Sequence, residues 1–297
     1  MHRLRHIRLS HLHVPRGAAL RGVHPEGRRP GGNGVTAVLA TAAIAPVLAT
    51  GSVRAEQVTQ LVLGESAVQT DEAGEWLRIR TMLDDYEGWV HRGYVRVVDD
   101  AAADAWRTRA GAWSEGARVA VGEDSVHMPL RTQVQLDREH VTLPDGRSGR
   151  LIEGTITARD LAVTRASGMP PAQWALDHFR GAPYQWGGLT PWGVDCSGLV
   201  QTTFLARGVT VPRDSSAQAR WGDEVAIDGA EPGDLLFFRS ESGSGAITHV
   251  AFAAPGNFIV HSTIACGGVI HEPFGQGTRA GHAIGPRLVA VRRFARS

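Results

Sequence analysis

Cys196 has the sequence surroundings expected of a nucleophilic cysteine. It follows Asp195 and opens the segment CSGLVQTTFLARG, whose apolar spacing predicts a helix. A thiol in the first turn of a helix lies among unpaired backbone N–H groups at the positive end of the helix dipole, and both favour the thiolate. The alternative is a buried free cysteine that packs as a small apolar residue. Helix position alone leaves both interpretations open.

Two histidines could supply the base that a nucleophilic cysteine needs. His249 lies in the strand-like segment ITHVAF, and His261 lies in FIVHST, on a second predicted strand. A lone histidine in an apolar strand is usually a core residue, but adjacent antiparallel strands can bring two imidazoles side by side. The pattern then predicts Cys196 as nucleophile, His249 as base and His261 as the group that fixes the tautomer of His249.

The segments around these residues predict an α+β domain over residues 164–297. PAQWALDHFRG begins with Pro and ends with Gly, as helices do, and strand-like segments follow the helix of Cys196. Residues 35–98 and 99–163 show short alternating segments separated by turns, which predicts two small β-barrels, the second after a connector. VTAVLATAAIAPVLA fits either the first strands or the core of a signal peptide, and we favour strands.

Composition excludes several classes of function. The formal net charge is +1, but residues 1–34 carry seven Arg and one acidic residue, so the remainder is net acidic and unsuited to nucleic acid. All 31 basic residues are Arg, which excludes a catalytic Lys and a P-loop. Residues 1–34 are expected to be a disordered or mis-assigned extension. No apolar run is long enough to predict a membrane-spanning helix.

Two cysteines do not make a disulfide framework. A bond between Cys196 and Cys266 would silence the nucleophile, so both are expected to be reduced. Cys266 has no evident chemical role and is expected to pack. The histidines and cysteines lack the close paired spacing of a zinc site, so no metal and no other cofactor is expected.

Several motifs together resemble those of the NlpC/P60 cysteine peptidases. They occur in the family's order within residues 170–295 and read PYQWGG, DCSGLVQ, PRDSSAQ, PGDLLFF, THVAF and VHST. The resemblance implies an α+β fold in which a papain-like catalytic domain follows two small SH3-like β-barrels. It also implies hydrolysis of the γ-D-glutamyl–diamino acid bond in a muropeptide, L-Ala-γ-D-Glu-diamino acid, with a free N-terminal L-Ala.

The resemblance also implies roles for individual residues. Tyr184 would donate to the oxyanion beside Cys196, Glu56 would meet the substrate ammonium, and Tyr86 would close the cleft. The remaining substrate-binding residues implied by the family motifs are Asp195, Ser197, Arg213, Asp214, Ser215 and Ser216. Arg213 would either bind the D-Glu carboxylate or pair with Asp214 inside its loop.

Two other functions remain as alternatives. One is an exported murein endopeptidase that acts on intact stems, with the SH3 domains as wall anchors. The other is a wall-binding module with an inactive catalytic domain. A free L-Ala amine arises only after the stem has left its sugar, so a cytoplasmic recycling role is favoured, with export possible. Lys and diaminopimelate are both compatible as the third substrate residue, and the oligomeric state is open.

Overall fold

The N-terminal part of the chain folds into one antiparallel sheet. The structure, a computed structural model, describes residues 36–242 and 245–294, so the predicted extension over residues 1–34 lies outside the described residues. The strands of this sheet are Thr36–Ala40 (β1), Ile44–Leu48 (β2), Gln57–Val62 (β3), Ser66–Ala73 (β4), Trp76–Thr81 (β5), Glu87–His91 (β6) and Val95–Asp99 (β7). They pair in the order β3–β2–β6–β5–β4–β1–β7. The strand interpretation of VTAVLATAAIAPVLA is confirmed.

Alternation in sequence explains how this first sheet forms its core. In β5, every second residue is buried, and Leu77 and Ile79 are fully enclosed. They pack with Val38, Val47 and Val90 from neighbouring strands. The sheet therefore buries one set of alternating side chains, as a half-buried antiparallel sheet does.

A helix and a closed barrel follow the first sheet. Helix α1 spans Asp100–Arg109, and the side chain of Asp99 caps it by accepting a hydrogen bond from the backbone N–H of Ala102 at 2.7 Å. The barrel strands are Ala112–Val121 (β8), Asp124–Asp137 (β9), His140–Thr142 (β10) and Ser148–Ala158 (β11), in the order β10–β11–β8–β9. Apolar residues of these strands fill a second, separate core.

The C-terminal part combines helices with a six-stranded antiparallel sheet. The helices are Arg159–Ser167 (α2), Pro171–Phe179 (α3), Cys196–Leu205 (α4), Ser215–Gln218 (α5) and Arg279–Ala283 (α6). The strands are Leu189–Thr190 (β12), Gly193–Val194 (β13), Asp223–Val225 (β14), Leu235–Arg239 (β15), Ile247–Ala254 (β16), Phe258–Thr263 (β17), Gly268–Pro273 (β18) and Leu288–Arg293 (β19). The larger sheet has the order β14–β19–β15–β16–β17–β18, and β12 and β13 form a hairpin. The predicted α+β class is confirmed.

Helix α4 lies at the centre of this C-terminal part. Every one of its residues is buried, and it packs against α3 and against strands β16 and β17. The longest described helices, α1 and α4, have 10 residues each, far below the length that a membrane span requires.

The prediction that Cys266 packs in the core is wrong. Cys266 is an exposed free thiol in a short 3-10 turn between β17 and β18. The turn ends at Gly267, whose φ of 76° is left-handed, so the chain reverses at the surface and turns Cys266 away from the core.

Candidate active site

The N-terminus of α4 positions Cys196. Asp195 is the N-cap residue, and its carboxylate accepts hydrogen bonds from the backbone N–H groups of Gly198 at 2.7 Å and Gly187 at 2.8 Å. The backbone N–H groups of Ser197 and Val250 donate to the Cys196 sulfur. The first bond comes from the helix terminus and the second from β16, so the sulfur lies where the helix meets the sheet.

Burial and hydrogen bonding act in opposite directions on the Cys196 thiol. Burial, followed by the charge of Asp195, raises the pKa of Cys196 to about 12. The amides of Val250 and Ser197 and the charge of Arg213 lower it, but they do not outweigh burial. The cysteine is therefore a neutral thiol at neutral pH, and it could act as a nucleophile only by losing its proton.

The two histidines and a glutamate form one hydrogen-bonded row. Nε2 of His249 lies 2.7 Å from Nδ1 of His261, and Nε2 of His261 lies 2.8 Å from Oε1 of Glu272. Val250, which donates to the cysteine sulfur, is the residue directly after His249. His249 therefore lies on β16, the strand that contacts Cys196, and His261 lies beside it on the neighbouring strand β17.

Burial is the largest cause of the lowered pKa of both histidines. It lowers the pKa of His249, and the charges of His261 and Arg287 lower it further. Burial also lowers the pKa of His261, against the opposing effect of Glu272. Neutral His249 can accept a proton, so this charge state suits a general base.

A single cavity of about 300 Å³ joins the first sheet to the cysteine. Its walls include Cys196 and all eight predicted substrate-binding residues, namely Glu56, Tyr86, Asp195, Ser197, Arg213, Asp214, Ser215 and Ser216. The predicted residues outside these walls are Tyr184, His249 and His261. The sequence analysis missed Trp186, which also lines the cavity. Its place within PYQWGG, next to Gly187, is the signal that could have identified it.

Tyr86 connects the first sheet to the loop before α5. Its hydroxyl donates to the carboxylate of Asp214, with 3.3 Å to each oxygen. Burial, followed by the charge of Asp214, raises the pKa of Tyr86 to about 12, so the phenol keeps its proton. This contact closes one side of the cavity with a residue from the N-terminal sheet.

Arg213 has a different partner from the one considered in the sequence. Its ion pair is with Asp195, at 2.6 Å from Nη2 to Oδ2, and not with Asp214. Nη1 also donates to Ser197 Oγ at 2.9 Å, and Nε donates to Thr59 Oγ1 of the first sheet at 3.1 Å. The guanidinium is 2% exposed and committed to protein acceptors, so it holds the N-cap of α4 in place.

Tyr184 lies close to the nucleophile. Burial, and then the neighbouring Cys196 and Asp195, raise the pKa of the Tyr184 hydroxyl. A phenol that stays neutral is a hydrogen-bond donor, which is the property that an oxyanion contact requires. Its backbone is held by a bridge to Val194 and by donation from its N–H to Gly267 O at 2.8 Å.

Glu272 and Arg279 are two further site residues that the sequence analysis missed. Glu272 lies on β18 in the segment VIHEP, which belongs to none of the motifs above. Alternation along β18 places Glu272 on the same face as Ile270, but only the register that pairs Ile270 with His261 brings the carboxylate to the histidine. Within residues 36–242 and 245–294, no group of three or more His, Cys, Asp or Glu side chains could hold a metal ion.

Comparisons with known proteins identify two of the domains. Residues 181–285 match the NlpC/P60 family, and residues 48–93 match the bacterial dipeptidyl-peptidase SH3 domain. A γ-D-glutamyl-L-lysine dipeptidyl-peptidase of Bacillus subtilis is 29% identical over 231 residues, which cover 69% of this chain and 71% of that one. One of the same name from Bacillus cereus is 27% identical over 226 residues, covering 69% and 66%.

A solved structure agrees with the fold. The crystal structure of an NlpC/P60 family protein from Bacillus cereus superimposes with a TM-score of 0.70 and 21% identity. The superposition covers 86% of this chain and 99% of that chain. These matches join the NlpC/P60 motif set to a cysteine at a helix N-terminus, so this chain contains an NlpC/P60 cysteine peptidase domain over residues 181–285, preceded by a bacterial SH3 domain.

Proposed function

We propose that this peptidase hydrolyses the γ-D-glutamyl–diamino acid bond of cell-wall peptides whose N-terminal L-Ala is free. The observation that carries the proposal is the shared cavity, in which Cys196 faces the same space as Glu56 and Tyr86 of the first sheet. The two Bacillus relatives named γ-D-glutamyl-L-lysine dipeptidyl-peptidases support the same class of substrate.

Glu56 gives the cavity a means of selecting a free amine. Its carboxylate is exposed and makes no hydrogen bond or ion pair with any residue that the structure describes. An α-ammonium group would pair with this charge, whereas an N-acetylated substrate would leave it uncompensated in a partly closed site. Tyr86, held against Asp214, limits the space available beyond the amine.

The proposed reaction begins with attack of the Cys196 sulfur on the γ-carbonyl carbon of D-Glu. The thiol proton passes to His249, and the Tyr184 hydroxyl and the backbone N–H of Cys196 donate to the oxyanion. The His249 imidazolium then protonates the departing amine of the diamino acid, leaving a thioester on Cys196. Water, deprotonated by His249, hydrolyses the thioester and releases L-Ala-D-Glu.

The test is mass spectrometry of the products from L-Ala-γ-D-Glu-diaminopimelate and from its N-acetylated twin, with the Lys-containing pair in parallel. Cleavage of the free peptides alone is expected. Cleavage of both forms at equal rates would overturn the amine requirement and favour a murein endopeptidase acting on intact stems. Cys196→Ala should form no product, and wild-type turnover by this variant would overturn the mechanism.

A matched pair of variants isolates the amine contact. Glu56→Gln keeps the size of the side chain but removes its charge, so kcat/KM for the free peptide should fall by about 10- to 100-fold. Glu75→Gln removes an exposed charge from the same sheet, away from the cavity, and should leave kcat/KM unchanged. Equal effects of the two substitutions would show that Glu56 does not recognise the amine.

We further propose that the enzyme works in the cytoplasm, on peptides released from the wall. A stem peptide exposes a free L-Ala amine only after it has been cut from its sugar, which supports a recycling role. Fractionation of the host with an antibody against this chain tests the location. Recovery from the envelope alone would overturn it.

A further inference from the structure

A carboxylate lies behind the catalytic histidines, and the proposed mechanism does not use it. Glu272 is on β18, next to β17, with Ile259 opposite Glu272 and Ile270 opposite His261. His261 and Glu272 therefore lie on one face of the sheet as diagonal neighbours. His249, on β16, continues the same diagonal, so the three side chains form a row across three adjacent strands.

His261 and Glu272 are the buried end of this row, and Arg279, which lies outside the sheet, donates hydrogen bonds to Glu272. The side chains of His261 and Glu272 are 2% and 7% exposed. Arg279, at the start of α6, donates from Nε to Glu272 Oε2 at 2.9 Å and from Nη2 to Oε1. Burial acts to raise the pKa of Glu272, but the hydrogen bonds from Arg279 and His261 outweigh it, so the pKa lies below its usual range.

An ionised Glu272 determines where the ring protons lie. A carboxylate only accepts hydrogen bonds, so Nε2 of His261 must carry the proton in the 2.8 Å contact. Nδ1 of neutral His261 is then an acceptor, and Nε2 of His249 must donate to it across 2.7 Å. Neutral His249 is left with Nδ1 as its basic nitrogen, so the carboxylate selects the nitrogen that receives the thiol proton.

We propose that Glu272, bridged by Arg279, is a positioning residue that sets the tautomers of both histidines and stabilises the imidazolium formed when Cys196 attacks. The inference rests on the proposed cysteine–histidine mechanism. Only one proton moves, from the Cys196 sulfur to Nδ1 of His249, and the positive charge is then balanced through the His261 ring by the carboxylate. Neither Glu272 nor Arg279 contacts the reacting atoms.

Substitutions at Glu272 separate its charge from its hydrogen bond. Glu272→Gln keeps an acceptor but loses the charge, and kcat should fall by about 10-fold. Glu272→Met loses both, and kcat should fall by about 100-fold, within the range that a positioned general base contributes. KM should stay within about 3-fold in both, since the row does not line the substrate cavity. A KM increase with unchanged kcat would overturn the inference.

The matched control, Asp234→Asn, breaks another buried carboxylate–arginine pair of the C-terminal part. Asp234 is buried and pairs with Arg293 at 2.7 Å, but its hydrogen bonds do not include a histidine. Asp234→Asn should therefore destabilise the fold without changing kcat in the fraction that remains folded. A loss of kcat equal to that of Glu272→Gln would mean that the effect is only structural.

Arg279 provides a test that does not depend on a buried substitution. Its side chain is 46% exposed, so Arg279→Gln should fold. The charged and titratable groups around the row are Arg279 beside Glu272, Cys266 beside Arg279, and Arg287 beside His249. Loss of Arg279 makes Glu272 easier to protonate, so the acid limb of the kcat profile should move to higher pH. An unchanged profile would overturn the inference.

Alkylation of Cys196 by iodoacetamide distinguishes this inference from the proposed substrate. The assay is done in a Cys266→Ser background, because Cys266 is the exposed thiol. Glu272→Met should slow alkylation at pH 7 by at least about 10-fold, since the base acts before any substrate binds. If alkylation depends on Glu272 but neither muropeptide is cleaved, the substrate is wrong and the positioning role stands. If the free muropeptide is cleaved but alkylation of Cys196 does not depend on Glu272, the positioning role is wrong and the proposed substrate stands.

Discussion

At the scale of single residues, burial is the largest influence on the charge states of Cys196 and His249, the proposed nucleophile and base. It raises the pKa of Cys196 and lowers the pKa of His249, so each change favours the uncharged form. Two backbone amides and the charge of Arg213 lower the pKa of Cys196 but are too weak to reverse this. The resting pair is therefore a thiol and a neutral imidazole, and the ion pair forms only as the substrate is attacked.

The pH profile tests this resting state. His249 must be neutral to act as a base, and its pKa is lowered from 6.5, so the acid limb of kcat/KM should lie below pH 6.5. Rates measured from pH 4 to pH 9 with the free tripeptide check this. An acid limb at pH 6.5 or above would mean that His249 titrates as a solvated histidine. The alkaline limb should follow the substrate amine, near pH 8.

Arg213 should contribute more to stability than any surface arginine. Arg213→Met leaves the Asp195 carboxylate buried without its counter-charge, which should cost about 3–5 kcal/mol in the free energy of unfolding. Arg78→Met, which breaks a half-exposed pair with Glu87, should cost less than about 1 kcal/mol. Urea denaturation followed by tryptophan fluorescence compares them. Equal losses would contradict a role for Arg213 in holding the α4 N-terminus.

The sequence analysis identified the site residues that lie in motifs or depend on local structure. The start of α4 and its Asp195 cap follow from local rules, because capping involves neighbours in the chain. The partner of Arg213 could not be predicted, because Asp214 is its neighbour in sequence, whereas Asp195 lies 18 positions away and is brought to it only by the fold. Glu272 was missed for a similar reason, since its contact with His261 depends on the register of two strands.

At the scale of elements, the turn after Tyr184 meets an edge strand of the first sheet. Gln57 at the start of β3 donates to the backbone oxygen of Trp186 at 2.8 Å, and the side-chain oxygen of Gln60 accepts from Leu189 N–H at 3.1 Å. Gly187, within this turn, has a φ of 74° and lies against the backbone of Gln57. The cavity beside Cys196 is thus assembled where a turn of the C-terminal part meets a strand of the first sheet.

A pair of glycine substitutions measures this contact. A Cβ at Gly187 would lie 2.7 Å from Gln57 O, whereas a Cβ at Gly181, with a φ of 81°, would meet nothing within 4 Å. Both Gly187→Ala and Gly181→Ala carry a backbone cost of about 1–2 kcal/mol. Gly187→Ala should cost about 1–3 kcal/mol more and lower kcat/KM. Equal losses in chemical denaturation would show that the turn and strand are not tightly docked.

Helices and strands were predictable where their pattern is local. Helix α3 begins at Pro171, as its sequence indicates, and β1 and β2 form where a signal peptide was the alternative. The order of the strands within each sheet could not be predicted from the sequence. In the first sheet, β7 pairs with β1, and in the catalytic sheet, β14 pairs with β19, so both ladders join segments that are distant in sequence. Such pairing depends on long-range packing that the alternation of side chains does not encode.

At the scale of the whole molecule, the helix of the nucleophile is tied to both N-terminal parts. Arg131 of β9, in the left-handed region with a φ of 82°, forms a buried ion pair with Glu65 of the first sheet. The same guanidinium donates to Gln201 Oε1 and Thr202 Oγ1 of α4, each at 3.3 Å. Gln201 also donates to Asp84 of the first sheet at 2.7 Å. One polar cluster therefore connects the first sheet, the barrel and α4.

This cluster predicts that the described parts unfold together. Arg131→Met leaves Glu65 buried and unpaired and removes two hydrogen bonds to α4, which should cost about 3–5 kcal/mol. Because the lost contacts join different parts, the single calorimetric transition expected of the wild type should broaden or split in the variant. Arg150→Met is the control, since Arg150 pairs with Glu139 at the exposed surface of the same barrel and should leave the transition unchanged. If Arg131→Met also unfolds in one sharp transition at the wild-type midpoint, the cluster does not couple the parts, and other contacts, such as those of Gln57, Gln60, Tyr86 and Arg213, must hold the cavity together.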